Sequence, residues 1–332
     1  MIAFPDKLEL AALPTPLQPL DRLSKEIGGP RIWVKRDDMT GSDLTGNKVR
    51  KLEYTLARAI EQDADTLITC GGLQSNHCRA TALLGARLGL KVHLILRGVT
   101  RSKTPDGNLF LDYLSGAEVS QYAREKYNEK LPELFDYWQK QYEAQGRKVY
   151  RIPTGASDGV GVWGYLNCAR ELGRQIERQG LRPAAIFHAT GSGGTQAGLT
   201  AGAELFMVGT PVIGVAVCDG ANYFLNKVRS DLREWRTLYD TSVDVDGLTI
   251  RVNDDYVGSG YAKASVEVFE TIKLVASREG IILDPVYTGK AFHGMLEEIR
   301  KGKFARAKDL IFIHTGGIFG LFAQRNEFSV LA

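Results

Sequence analysis

The segment Thr190-Gly191-Ser192-Gly193-Gly194-Thr195 places three glycines and three hydroxyl side chains between an apolar run and a helical pattern. Glycines let successive backbone N–H groups point towards one spot, and the N-terminus of a helix adds positive potential there. The segment is not a Walker A loop, and Gln196 stands where a dinucleotide fingerprint needs glycine. We interpret it as a phosphate cradle, the alternative being a tight turn that binds nothing.

Lys48 lies in the segment Gly46-Asn47-Lys48-Val49-Arg50-Lys51, at the start of a predicted helix. The helix dipole disfavours a cation in the first turn and so lowers the pKa of a lysine, as a Schiff-base lysine requires. Most single lysines are solvated surface charges. Together with a phosphate cradle, however, Lys48 indicates a cofactor that carries both an aldehyde and a phosphate.

A rival pattern is Gly155-Ala156-Ser157-Asp158-Gly159, which matches the G-x-S-x-G turn of α/β-hydrolases. Asp284 and His314 follow in the order that such a serine hydrolase needs. The pattern is short, and it leaves Lys48 and the glycine-rich segment unexplained. A serine hydrolase that uses Ser157 therefore stays a remote alternative.

The composition excludes several classes of protein. The formal net charge of the 332 residues is +3 with interleaved signs, which does not predict a nucleic-acid surface. No apolar run approaches the roughly 18 residues of a membrane span, and no signal peptide is recognisable. The four cysteines lack C-x-x-C spacing and the five histidines form no H-E-x-x-H helix, so we expect no metal site and a cytoplasmic location.

Short, continuously apolar strands alternate with helical patterns along the chain, which predicts an α/β fold with mostly parallel sheets covered on both faces. In such sheets ligands lie beyond the carboxyl ends of the strands. The predicted strands are 32–35, 66–70, 92–96, 148–152, 185–188, 212–217 and 310–314. The predicted helices are 48–61, 76–88, 108–114, 131–145, 162–179, 196–205, 263–279 and 290–301.

Taken together, the motifs resemble the family of pyridoxal-phosphate enzymes that contains D-cysteine desulfhydrase and 1-aminocyclopropane-1-carboxylate deaminase. The resemblance covers nearly the whole chain, and the segments that carry it are Leu13-Pro14-Thr15-Pro16-Leu17, Lys35-Arg36-Asp37-Asp38, Gly46-Asn47-Lys48, Gln74-Ser75-Asn76-His77, Asp284-Pro285-Val286-Tyr287-Thr288-Gly289-Lys290 and Ile313-His314-Thr315-Gly316-Gly317. It implies the tryptophan-synthase-β-like fold, with two open three-layer domains around the cofactor. Residues 1–48 and 160–332 would form the larger domain and 49–159 the smaller one, usually in a homodimer.

The resemblance also implies the roles of site residues. Lys48 would bind pyridoxal phosphate covalently and move the Cα proton, while Lys51 and residues 190–195 would hold the phosphate. Asn76 would hydrogen-bond the 3-oxygen of the cofactor, and Thr288 and Thr315 would lie near its ring nitrogen. The residues expected on the substrate side are Ser75, Asn76, His77, Tyr261 and Tyr287, with Ser75 meeting the substrate carboxylate.

Position 288 separates members of the family, because the deaminase resembles this chain there but carries glutamate. A hydroxyl partner makes the cofactor ring a weaker electron sink, which suffices when a β-leaving group departs directly. We therefore expect elimination of D-cysteine to sulfide, pyruvate and ammonia. Cysteate sulfo-lyase, which the chain also resembles, the deaminase, and a phosphate-ligand sensor without turnover stay open as alternatives. The bulky residues Phe292, His293 and Phe319 depart from the family pattern and leave the substrate undecided.

Overall fold

The computed structural model describes residues 2–100, 104–207 and 209–328 of the chain. Its strands are β1 Leu17–Pro19, β2 Arg31–Lys35, β3 Thr66–Gly72, β4 Lys91–Arg97, β5 Glu118–Tyr122, β6 Val149–Arg151, β7 Pro183–Thr190, β8 Val212–Ala216, β9 Arg251–Asn253 and β10 Asp309–Ile313. Its helices are α1 Asp21–Ile27, α2 Asn47–Glu61, α3 Asn76–Leu88, α4 Gly107–Leu114, α5 Arg124–Glu143, α6 Val162–Arg178, α7 Gly194–Phe206, α8 Ala221–Tyr239, α9 Val266–Glu279, α10 Thr288–Arg300 and α11 Ile318–Phe322. Short 3₁₀ turns lie at Asp37–Met39, Thr154–Ala156 and Arg325–Glu327.

The strands form two sheets. The larger sheet has the order β1-β2-β10-β7-β8-β9, in which β1 is antiparallel to β2 and the other neighbours are parallel. The smaller sheet has the order β5-β4-β3-β6 and is parallel throughout. The predicted α/β class with mostly parallel sheets is therefore confirmed.

Helices cover both faces of each sheet, which explains why the strands read as continuous apolar runs. In β10, Leu310 and Phe312 pack in one buried cluster with residues of α9 and α10, while Ile311 and Ile313 pack in another with residues of α6 and α7. Alternate side chains of a strand point to opposite faces, so both sets must be apolar when both faces are covered.

Three predicted features differ from the structure. Gly71 and Gly72 were expected to end their strand, but β3 continues through both because they pair with Leu96 and Arg97 of β4. Helix α5 begins at Arg124 rather than at 131, since it continues across one non-helical residue that precedes Pro132. Strands β1, β5 and β9 and helices α1, α8 and α11 are additional elements that the sequence analysis did not predict.

The division of the chain into residues 1–48 with 160–332 and residues 49–159 stays a prediction. The larger sheet takes its strands from residues before 36 and after 182, and the smaller one from residues 66–151. In the described ranges, no helix combines the length and the apolar character that crossing a bilayer needs.

Candidate active site

A cavity of about 470 Å³ lies where the carboxyl ends of strands from both sheets meet. Residues that follow β3, β6, β7, β8 and β10 line it, together with Arg97 at the end of β4. This is the place where ligands bind in parallel α/β sheets. The cavity thus collects the loops that carry the unusual chemistry of the sequence.

Three helices begin at the wall of this cavity. Asn47 and Lys48 open α2, Asn76 opens α3, and Gly193 and Thr195 lie at the start of α7. The free N–H groups and the dipole of a helix N-terminus attract anions. Three such ends at one cavity favour a ligand with more than one negative group.

Lys48 lies in the first turn of α2 and is partly buried on the cavity wall. Burial lowers the pKa of its ammonium group to about 8. The direction of the shift is the predicted one, and burial contributes to it by removing water from the ammonium group. A substantial neutral fraction near neutral pH makes Lys48 able to react with an aldehyde.

The backbone before Lys48 packs directly against the segment that follows β10. Gly46 has a φ of +107°, and a β-carbon there would lie 2.7 Å from the carbonyl oxygen of Thr315. The N–H of Asn47 donates to that same oxygen at 3.1 Å. Glycine at position 46 is what allows Lys48 and Thr315 to share the cavity.

A buried ion-pair network fixes α2 from behind. The guanidinium of Arg50 donates to both carboxylate oxygens of Asp37, at 2.8 and 2.9 Å, and the hydroxyl of Tyr165 donates to Asp37 at 2.7 Å. Burial alone would raise the pKa of Asp37, but the charges of Arg50 and Lys35 lower it to about 2. In the sequence, Asp37 and Arg50 carry no sign of this contact, whereas in the structure their ion pair holds the helix that bears Lys48.

The glycine-rich loop rests on Ser157. The N–H of Gly194 and the ammonium of Lys51 both donate to the hydroxyl oxygen of Ser157 at 3.1 Å, and the Ser192 hydroxyl lies 2.8 Å from it. The side chain of Lys51 is fully buried behind the loop, and burial together with the charge of Lys48 lowers its pKa well below the usual range. Lys51 therefore supports the predicted cradle from behind through Ser157.

Lys227 on α8 is a cation of this site that the sequence analysis missed. Its ammonium donates to the carbonyl oxygen of Ser157 at 2.9 Å and forms an ion pair with Asp231, whose pKa burial raises to about 6. The spacing of the buried apolar residues Phe224, Val228, Leu232 and Trp235 is typical of an amphipathic helix, and it could have predicted α8.

The start of α3 brings Ser75, Asn76 and His77 to the cavity wall. The Ser75 hydroxyl caps the helix by accepting the N–H of Cys78 at 3.1 Å, and Nδ2 of Asn108 donates to Oδ1 of Asn76 at 3.0 Å. Asn76 lines the cavity, and none of the hydrogen bonds among the described residues engages its amide nitrogen. His77 shares a 2.7 Å hydrogen bond with Thr69 through Nε2, and burial, Lys48 and Lys51 lower its pKa well below the usual value.

Tyr261 and Tyr287 form a hydroxyl pair on the cavity wall, with their oxygens 2.6 Å apart. Burial raises the pKa of both hydroxyls, and the neighbouring Tyr261 adds to the shift of Tyr287. Both hydroxyls are therefore protonated at neutral pH. One tyrosine can donate its proton while a hydrogen bond from the other keeps the donating hydroxyl in place.

Thr315 and Thr288 differ in their access to the cavity. Thr315 lines the wall at the end of β10. Thr288 is fully buried, and its hydroxyl donates to Oδ1 of Asp284 at 2.7 Å while accepting the Asp284 N–H at 2.8 Å. Thr315 therefore lines the cavity, whereas Thr288 is buried against Asp284, and the expected place of both hydroxyls near the ring nitrogen stays a prediction.

The serine-hydrolase alternative does not find its partners. His314 shares a 2.9 Å hydrogen bond with the carbonyl oxygen of Ile282, and the Asp284 carboxylate accepts backbone N–H groups of residues 286–288. The described contacts of the Ser157 hydroxyl are with Lys51, Gly155, Ser192 and Gly194. Neither His314 nor Asp284 is among the described hydrogen-bond partners of Ser157, so the predicted triad is not assembled, and the Ser157 hydroxyl contacts the glycine-rich loop instead.

Residues 8–316 match the family model described as "Pyridoxal-phosphate dependent enzyme". A putative 1-aminocyclopropane-1-carboxylate deaminase of Thermotoga maritima is 47% identical over 319 residues, covering 96% of this chain and 98% of the relative. A bifunctional D-cysteine desulfhydrase/1-aminocyclopropane-1-carboxylate deaminase of Arabidopsis thaliana is 41% identical, covering 97% and 80%. A solved structure described as an ACC deaminase homologue is 37% identical with a TM-score of 0.89, covering 99% and 97%.

The chain belongs to this family of pyridoxal-phosphate-dependent enzymes, and its fold is the type II fold that the resemblance implied. The residues of the cavity themselves suit this cofactor. It offers a lysine with a lowered pKa, three helix N-termini, and two buried polar atoms without a hydrogen-bond partner in the described chain, Thr190 Oγ1 and His77 Nδ1. Among the residues that the structure describes, no cluster of histidine, cysteine and carboxylate side chains could hold a metal ion.

Proposed function

We propose that the chain catalyses β-elimination of D-cysteine to sulfide, pyruvate and ammonia. The observation that carries the proposal is the presence, in one cavity, of a lysine with a lowered pKa and a pair of protonated tyrosine hydroxyls. The first can take the proton from Cα, and the second can protonate the group that leaves Cβ. The bifunctional Arabidopsis relative, whose name includes D-cysteine desulfhydrase, agrees with this assignment.

Lys48 is the proposed attachment point of pyridoxal phosphate, which when bound withdraws electrons from the Cα–H bond. The phosphate would be held by the N-terminus of α7 and by the segment 190–195, supported by Lys51 through Ser157. The unpartnered Thr190 hydroxyl is a suitable donor for it. The amide nitrogen of Asn76 would donate to the 3-oxygen of the cofactor.

The substrate carboxylate is expected at the N-terminus of α3, where Ser75, Asn76 and His77 line the cavity. A carboxylate is stabilised there by the helix dipole and by free N–H groups. Because His77 has a strongly lowered pKa, it is neutral at pH 7 and contributes hydrogen bonds rather than charge. A carboxylate bound there would lie in the same cavity as Lys48, the proposed base for the Cα proton.

Thr315 is the proposed partner of the ring nitrogen, because it lies on the wall and offers a hydroxyl rather than a carboxylate. Asp284 is the acid nearest to Thr288 and is held by Thr288 and by backbone N–H groups. A weak ring partner favours expulsion of a leaving group over opening of a cyclopropane ring. Relatives named putative 1-aminocyclopropane-1-carboxylate deaminase keep ring opening as the second candidate.

The test is product release from a panel of amino acids: D- and L-cysteine, D- and L-cysteate, D-serine, β-chloroalanine and the cyclopropane amino acid. We expect pyruvate from D-cysteine and no detectable 2-oxobutyrate from the cyclopropane substrate. Lys48→Ala serves as the control that removes the proposed base. Robust 2-oxobutyrate production by the wild type would assign the chain to ring opening instead.

We also propose that the enzyme is a cytoplasmic homodimer with the two domains given above. The four cysteines are all free, which agrees with a reducing compartment. Light scattering of the purified enzyme would give its oligomeric state, and a monomer at assay concentration would contradict this proposal. Fractionation of the source cells would test the location.

A further inference from the structure

Lys290 is a buried cation behind the cavity wall that has no part in the roles proposed so far. It lies in the first turn of α10, shortly after Tyr287, and its side chain is only 1% exposed. The helix dipole disfavours a cation at this end of a helix, and burial lowers the pKa of the ammonium group. A charge in so unfavourable a place needs strong compensating contacts.

The ammonium group of Lys290 is bound by three carbonyl oxygens. It donates to the oxygen of Gly260 at 2.7 Å, to that of Val257 at 2.8 Å and to that of Val217 at 3.3 Å. An ammonium group has three N–H donors, so these oxygens match it one for one. Because Val217 directly follows β8, the contact joins the start of α10, the end of β8 and the loop that leads to Tyr261.

The loop that carries Tyr261 has no regular secondary structure to hold it. Residues 254–265 belong to no helix or strand. Gly260 has a φ of +108° and Ala262 one of +58°, a conformation that residues other than glycine rarely adopt. Such a segment loses much conformational entropy when it is ordered. The two bonds from Lys290, just before Tyr261, help to offset this cost.

The position of this loop decides where the tyrosine hydroxyls lie. Tyr261 comes from the loop and Tyr287 from the residue before α10, and their oxygens are 2.6 Å apart. Lys290 is bonded to the backbone of Gly260, next to Tyr261, and lies one helical turn after Tyr287. It therefore links the two stretches of backbone that carry the pair.

We propose that Lys290 is a positioning residue that holds the Tyr261–Tyr287 pair where it can protonate the leaving group. The inference rests on the proposed β-elimination and names a residue on which its acid step depends. As the C–S bond breaks, sulfur takes the electron pair of that bond and the proton of a tyrosine hydroxyl, which regains a proton from solvent. Without the ammonium group, the loop carbonyls lose their buried donor and Tyr261 moves with the loop. Lys48 and the N-terminus of α3 stay in place.

Two leaving groups that differ in their need for a proton separate this role from a general loss of structure. Chloride leaves without a proton, whereas the sulfur of D-cysteine leaves more easily when it is protonated. Lys290→Met keeps an apolar stem and should lower kcat for D-cysteine about 10- to 100-fold, part of what a general acid contributes. It should lower kcat for β-chloro-D-alanine less than about threefold and leave KM for both substrates nearly unchanged. If Lys290→Met does not fold, Lys290→Gln, which keeps an N–H donor, carries the same comparison.

Two further variants identify the route. In a Tyr261→Phe background, Lys290→Met should lower kcat for D-cysteine by less than about a further threefold, because the pair that it positions is already broken. Lys301→Met removes an exposed ammonium group at the other end of α10 and should change kcat less than about twofold. Equal losses for D-cysteine and β-chloro-D-alanine in Lys290→Met, or full additivity with Tyr261→Phe, would overturn the positioning role.

Thermal unfolding tests the contact without the reaction. n-Propylammonium carries the atoms that Lys290→Ala removes, so it should raise the Tm of the cofactor-loaded variant by about 2–4 °C over tetramethylammonium, which has no N–H group, at equal ionic strength. The wild type and Lys301→Ala should show no such difference in the same salts, and its absence in Lys290→Ala would overturn the contact. Absence of pyruvate from β-chloro-D-alanine with the wild type would instead overturn the elimination, and with it the leaving-group role of the tyrosine pair.

Discussion

The lowered pKa of Lys48 makes a quantitative prediction about how the apoenzyme takes up its cofactor. Only a neutral amine attacks an aldehyde. With a pKa of about 8, about a tenth of Lys48 is neutral at pH 7. A lysine with the ordinary pKa of 10.5 would be about 0.03% neutral at that pH, so the structure gives Lys48 an advantage of about 300-fold in reactive amine.

The assay compares the rate at which apoenzyme and a small lysine analogue react with pyridoxal phosphate between pH 6 and 10. The cofactor titrates identically in both reactions, so the ratio of the two rates isolates the amine. The enzyme rate should level off above about pH 8, whereas the rate of the analogue continues to rise. Borohydride reduction and peptide mapping should place the adduct on Lys48. A midpoint near pH 10, or an adduct on another lysine, would refute the reasoning.

Two further predictions concern the support of the site. Lys51→Ala should weaken cofactor binding about 2- to 10-fold, because the buried Ser157 loses one hydrogen-bond donor, while the saturated enzyme keeps most of its turnover; unchanged affinity would show that the support is not needed. Asp37 has a pKa of about 2 in the folded chain against 3.8 unfolded, so the folded state binds fewer protons and should lose about 2 kcal/mol as the pH falls from 4 to 2. Urea unfolding should show this loss in the wild type and not in Asp37→Asn, with Asp21→Asn as the exposed control; a parallel decline in Asp37→Asn would contradict it.

Local patterns were sufficient for the frame of the molecule. Apolar runs located β2, β4, β7 and β10, and the serine at 75 correctly marked the start of α3, because strand periodicity and helix capping depend on near neighbours. Apolar runs are absent from β5 and β9, because these partly exposed strands carry polar residues. Helix α8 was missed although its apolar spacing is regular, since a polar composition hid the buried stripe.

Contacts between distant segments could not be predicted in the same way. Arg97 follows the predicted strand 92–96 and has no role in the sequence pattern, and its place between Tyr127 and Tyr261 depends on how α5 and the 258–262 loop pack against the smaller sheet. Thr288 is expected near the cofactor ring, and the structure adds that its side chain is fully buried and that its hydroxyl donates to Asp284. Side-chain direction at a helix start is set by such partners, and no spacing rule encodes it.

Ser157 shows how a correct motif can carry the wrong chemistry. Its G-x-S-x-G setting predicts an exposed nucleophile, yet the hydroxyl is buried and accepts from Lys51 and Gly194. In a hydrolase this sharp, glycine-rich turn would expose the serine. In this chain the turn brings Ser157 close to the glycine-rich loop, and glycine at position 155 leaves the necessary space, because a β-carbon there would lie 2.4 Å from the Ser192 hydroxyl. Two motifs that competed in the sequence are therefore one unit in the structure. If so, Ser157→Ala and Lys51→Ala should weaken cofactor binding by the same route, and the double variant should lose little more than either single one.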